Sequence, residues 1–289
     1  MGLIIEPRPH DLGHGLLVKR VLPFVRHRMV GPFIFYDHAG PTALPPEERH
    51  RVDVRPHPHI GLATISYLLS GKLMHRDSLG ITQAILPGEV NWMTAGRGIV
   101  HSERFDDPAS FDGPGLELLQ SWVALPKEEE ETAPAFDHYD VSRLPEAGDE
   151  GRWLRLIAGS AYGLTSPVRT RSPLFYLHLE LEPGARASLP QGYSERAAYL
   201  VRGSLEIGGE RLAAGTMRVF DADESPDIAA LEPSTVMLLG GEPVGERFIF
   251  WNFVSSRRER IEQAKADWAA GRFALPPHDN AEFIPLPAS

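Results

Sequence analysis

Short apolar runs closed by glycine or proline turns set the limits on what this chain can fold into. LATISYLL at 62–69 stops at Ser70-Gly71, and 84–86 stops at Pro87-Gly88. The rhythm returns in the second half, where LFYLHLEL at 174–181 meets Glu182-Pro183-Gly184 and 197–201 meets Arg202-Gly203. Proline lacks the N–H a helix interior needs, and glycine costs about 1 kcal/mol there. With 26 Pro and 27 Gly spread along the chain, helices have little room. Many short strands with such turns predict an all-β sandwich or barrel.

A length of 289 residues suggests two domains, at roughly 150 residues each. The segment 127–151, KEEEETAPAFDHYDVSRLPEAGDEG, is acidic, carries prolines and lacks apolar periodicity, so it reads as the connection between them. Within it, Glu128–Glu131 reads as a solvated face. Tyr67-Leu-Leu-Ser-Gly71 and Tyr199-Leu-Val-Arg-Gly203 echo one another, as two copies of one small β-barrel would. One helix is expected near the end, capped by Ser255 or Ser256, with Ile261, Ala264 and Trp268 on one face and Gly271 as its stop.

Several classes are disfavoured by composition. The net charge of −10 offers no basic field for phosphates, so direct nucleic-acid binding is not expected. No apolar run reaches the ~20 residues of a membrane span, and the N-terminus lacks secretory-signal features, so the expected compartment is the cytoplasm. Cysteine is absent, which rules out disulfides and thiolate metal sites. Any metal must be held by histidine and carboxylate.

The residues fit for that task are His57-Pro58-His59 and His101-Ser102-Glu103. Side chains at i and i+2 of a strand share a face, so each trio aims two donors one way. Three imidazoles and a carboxylate suit iron, manganese, nickel, cobalt, copper or zinc, and in a six-coordinate site leave two positions open. The isolated His10, His14, His27, His50, His138 and His278 read as surface or satisfied residues. His38 and His75 are candidates for fixing a ligand's tautomer.

Those trios sit in a longer pattern. His57-Pro-His59, the Gly71 turn, Pro87-Gly88 and His101 follow the two signature motifs of the cupin superfamily. The strings GPFIFYD at 31–37, RPHPHIGLATISYLLSG at 55–71 and PGEVNWMTAGRGIVHSE at 87–103 resemble the pirin family, most specifically through WMTAGRGIVH. The likeness continues through Gly241-Glu-Pro243 to the terminal helix. It implies a bicupin: two jelly-roll-like β-barrels, a metal-binding domain at 1–133 and a second barrel at 134–289 that lacks ligands and ends in the short helix. Family ligands fall on His57, His59, His101 and Glu103, with iron(II) the first expectation for a single metal. Many cupins carry a Glu four residues after the second His, where this chain has Ala63. The second barrel reads LPQGYSER at 189–196, with no His-x-His.

The resemblance implies two functions. One is a quercetin 2,3-dioxygenase-like activity, in which dioxygen opens a flavonol with loss of carbon monoxide and Glu103 serves as general base. Phe35, Trp92 and Met93 would then line the pocket for a flat aromatic substrate, although each suits a plain barrel core. The other is a regulatory protein whose metal senses redox state and which binds a transcriptional or metabolic partner protein, reaching DNA only through that partner.

Overall fold

The computed structural model describes residues 2–11, 16–43, 46–105, 107 and 115–287; His14 lies outside them. It is mostly β, with 52% strand and 8% helix. The first twelve strands are β1 (Leu3–Ile5), β2 (Arg8–Asp11), β3 (Leu17–Leu22), β4 (Phe33–Thr42), β5 (Val54–His59), β6 (Leu62–Ser70), β7 (Leu73–Asp77), β8 (Thr82–Ile85), β9 (Val90–Thr94), β10 (Ile99–Arg104), β11 (Leu116–Ala124) and β12 (Ala135–Tyr139). None of the described helices is long and apolar enough to cross a membrane.

Two compact units result. The first combines 10–18, 37–138 and 244–289, and the second combines 1–9, 19–36 and 139–243. A seven-stranded sheet in the order β12-β9-β6-β11-β4-β3-β2 and a four-stranded sheet in the order β5-β10-β7-β8 supply the barrel of the first unit. Their inner faces meet. Leu68 and Leu118 from the large sheet pack with Leu73 and Ile85 from the small one, together with Phe105. That apolar filling leaves part of the interior to buried polar side chains, among them Thr64, Ser66, His75, Asp77 and Asn91.

The second unit is filled differently. An eight-stranded sheet, to which β1 adds an edge by pairing with Met217–Phe220, accompanies a four-stranded sheet of 186–187, 228–230, 204–207 and 210–213. The core between them is aliphatic and aromatic: Leu156, Phe175, Leu177, Leu200, Leu205, Ile207, Leu238 and neighbours. Those buried side chains fill the space between the two sheets with apolar groups.

Two expectations need correction. The terminal helix α1 (Arg258–Ala269) begins later than the serines suggested; Arg257 is its N-cap and makes no side-chain cap hydrogen bond. Ser255 and Ser256 are engaged instead with Glu130, whose carboxylate accepts from both hydroxyls and from the Ser256 N–H. Glu130 is therefore not part of a solvated face. It is 3% exposed and lies 2.9 Å from the Arg247 guanidinium. The apolar face of α1 is as expected, with Ile261, Ala264 and Trp268 buried against Ile60, Val100 and Phe253. That packing ties the helix to the strands carrying the histidines.

Candidate metal centre

The tight turn between β5 and β6 depends on Gly61. Its φ is +68°, and a Cβ there would lie 2.0 Å from the Val254 carbonyl oxygen. Only glycine fits such an approach. β5 pairs with β10 in an antiparallel register that sets His57 opposite His101 and His59 opposite Ile99. Directly opposed residues share a face, so the three rings converge. Centroids are 4.4 Å apart for His57–His101, 5.0 Å for His57–His59 and 5.0 Å for His59–His101. One nitrogen of each lies within 4.8 Å of the others.

The register breaks just beyond, between His101 and Glu103. The bulge places Glu103 opposite Val54, taking up Arg55 and Pro56 on β5; a proline, having no N–H to give the ladder, is at home in a bulge. This frees the Arg55 carbonyl to accept from His57 Nδ1 at 2.9 Å, leaving Nε2 of that ring for another partner. His59 Nδ1 and His101 Nε2 are buried nitrogens with no hydrogen-bond partner among the described residues. Leaving such groups unsatisfied costs about 1–3 kcal/mol each. A metal bonded to these lone pairs removes that cost, so the donor set fits one.

Burial also sets the charge state. It holds His57 down to about 4, with the Arg55 hydrogen bond opposing and nearby His75 adding to the shift. His59 and His101 lie well below the ordinary histidine value, first through burial and then through neighbouring imidazoles. All three are thus neutral, the form that binds metal. Burial pushes Glu103 the other way, up to about 7, against a lowering hydrogen bond from Ser66. That bond is long, at 3.4 Å, and the same Ser66 hydroxyl lies 2.8 Å from Gln120 Oε1. A hydroxyl has one proton to share. The Glu103 carboxylate stands outside the tight imidazole group.

The other sequence candidates scatter. Met93 pairs with Thr64, and Asn91 with Ser66, so Met93 shares the inner face that Ser66 presents to Glu103. Trp92 pairs with Ile65 and points to the opposite face of that sheet. Phe35 falls in the second unit, with the Arg20 guanidinium 4.6 Å from its ring centre. An aromatic side chain that the sequence reading passed over is beside the cluster: Trp122 lies edge-on to His59 at 5.2 Å. Alternation along β11, with Trp122 opposite Thr64 and Gln120 opposite Ser66, carried that signal once the inner face was known. Of the two tautomer candidates, His38 bonds Glu117 at 3.1 Å, whereas His75 lies 3.4 Å from His101, nitrogen to nitrogen.

Comparison with known proteins places this geometry in context. The family model "Pirin" matches residues 15–123, and "Pirin C-terminal cupin domain" matches 176–274. A pirin-like protein of Caulobacter vibrioides is 56% identical over 286 residues, covering 99% of both chains. Human pirin is 32% identical over 281 residues, covering 92% of this chain and 91% of its own. A crystal structure described as quercetin 2,3-dioxygenase from Acinetobacter baumannii superposes with a TM-score of 0.90 at 32% identity, covering 100% of this chain and 95% of the other. Both barrels are therefore cupin domains.

Proposed function

This chain belongs to the pirin family, and from that premise we propose that it is a metal-dependent oxygenase of the quercetin 2,3-dioxygenase type, opening a flavonol with dioxygen and releasing carbon monoxide. The observation that carries the reading is the pairing of three buried, neutral imidazoles with a buried carboxyl poised near 7. Likeness to the Acinetobacter baumannii protein supports it.

In this reading His57, His59, His101 and Glu103 hold one divalent metal, iron(II) first, with manganese, nickel, cobalt, copper or zinc accepted by the same donors. The bound ion would supply Lewis acidity toward a substrate oxygen and a place for dioxygen. Everything else falls to the protein. Glu103, ionised once a cation lies beside it, takes the proton of the substrate hydroxyl. Trp122 and Met93 offer apolar surface on the inner face for a flat aromatic ring. The barrel wall excludes bulk water, so the developing negative charge interacts with fixed groups and not with solvent.

The test is anaerobic reconstitution with iron(II), then oxygen uptake and carbon monoxide release with quercetin. Manganese, nickel, cobalt and copper forms run in parallel, with His101→Ala as control. Metal-dependent turnover that vanishes in the variant supports the oxygenase. Tight binding without turnover in every metal form overturns it in favour of a redox-linked regulator with a protein partner.

A further inference from the structure

Behind His101 stands a chain of buried groups for which the reaction above has no use. β7 carries His75 and Asp77, and its register sets Asp77 opposite His101 and His75 opposite Glu103. Asp77 is fully buried and His75 nearly so. Oδ1 of Asp77 accepts two backbone N–H groups, from Leu79 at 2.9 Å and Ile81 at 3.1 Å. Its Oδ2 lies 2.9 Å from His75 Nε2, and His75 Nδ1 faces His101 Nδ1 at 3.4 Å. Phe136 stacks on the His75 ring at 4.3 Å and 19°, which keeps the ring from turning.

Each contact dictates the next. A carboxylate only accepts hydrogen bonds, so His75 must carry its proton on Nε2. A neutral imidazole protonated there has a lone pair on Nδ1. Two facing nitrogens bond only if one holds the proton, so His101 donates through Nδ1–H. Its remaining lone pair is then on Nε2, the buried nitrogen with no partner among the described residues. With a neutral imidazole at His75, each link admits one tautomer.

We propose that Asp77 and His75 are positioning residues that lock His101 in the Nδ1–H tautomer, and so keep its Nε2 lone pair available to a metal. The inference rests on the metal reading above but is testable apart from it. His57 reaches the same end through a single backbone carbonyl; His101 depends on two side chains, and so can be switched by substitution.

Asp77→Asn is the informative change because it is nearly isosteric. The two backbone N–H groups at Oδ1 hold the amide oxygen there, turning the NH2 toward His75. His75 must then accept at Nε2 and carry its proton on Nδ1. His101 is forced to accept at Nδ1 and to hold its proton on Nε2, which blocks the metal. Nitrogen-15 spectra of histidine-labelled, metal-free protein read the tautomers directly. Wild type is expected to show His101 protonated at Nδ1, and Asp77→Asn to show it protonated at Nε2. Iron(II) affinity, measured against a chromophoric chelator, should fall about 10–100-fold in Asp77→Asn. In a His75→Ala background the relay is cut, so adding Asp77→Asn should leave both affinity and tautomer unchanged.

An unswitched His101 in a folded Asp77→Asn protein overturns the proposal. So does an equal affinity loss from Asp77→Asn in both backgrounds, which would mark Asp77 as a structural group only. If the tautomers switch as stated but wild type binds no iron(II), the relay stands and the metal reading fails.

Discussion

Metal binding at the histidine cluster should release close to one proton at pH 6 and almost none at pH 8.5. The number follows from the charge states of the metal-free site. With Glu103 raised to about 7, about 0.9 of the molecules carry its proton at pH 6 and about 0.03 at pH 8.5. A cation arriving nearby ionises that carboxyl. His57, held down to about 4, contributes only about 0.01 proton at pH 6, and His59 and His101, lowered as well, add little. Three histidines of ordinary affinity would instead add about 0.75 proton each, or about 2.3 in all, while an ordinary glutamate would add almost nothing. Calorimetric titration in buffers of different ionisation enthalpy measures the released protons directly. Glu103→Gln should bring the release at pH 6 below about 0.1. A wild-type value near two or above would show that burial does not keep the imidazoles neutral. A value near zero would show that Glu103 is not protonated in the metal-free site. The same shifts act on stability, with opposite signs. Glu103 has its folded value raised, so its contribution is present below its ordinary 4.5 and lost as pH rises through about 7. His57 has its folded value depressed, so its contribution is present above 6.5 and lost as pH falls through about 4.

His59→Ala and His101→Ala should each abolish stoichiometric metal binding while the second unit stays folded, which metal analysis with circular dichroism will check. Glu130→Ala leaves the buried Arg247 without its counter-ion and should cost about 3–5 kcal/mol in denaturant unfolding; an unchanged midpoint would mean the pair is solvated. Leu205→Ala, in the aliphatic filling of the second barrel, should cost about 2–5 kcal/mol yet leave metal stoichiometry at its wild-type value.

The three-histidine cluster was legible because its signals are local: His57 and His59 lie two apart, and His101 lies two before Glu103. Glu103 was flagged by the same spacing, but the distance of its carboxylate from the imidazole group cannot be read from parity. The apolar candidates meet the same limit. Strand alternation tells which residues share a face but not which face is inside, so Trp92 was favoured and Trp122 passed over. Glu130 looked solvated because its partner, Arg247, belongs to a distant stretch of chain, and no local pattern announces that meeting. The terminal helix face was visible in its periodicity, while its start was obscured by two serines already committed to Glu130.

The final stretch of the first unit has a bearing on how the protein is made. Asp279 grips Ser102 and Arg104 on β10 at 2.6–2.7 Å, and the Ile284 N–H bonds the Pro56 carbonyl beside His57. The histidines leave the ribosome long before those anchors do. A nascent chain therefore exposes its imidazoles in an unfinished barrel, and the site closes only when residues near 279 emerge. The strand that carries His101 thus takes a brace from residues 177 positions later, and a chain cut short before Asp279 would carry every histidine without it.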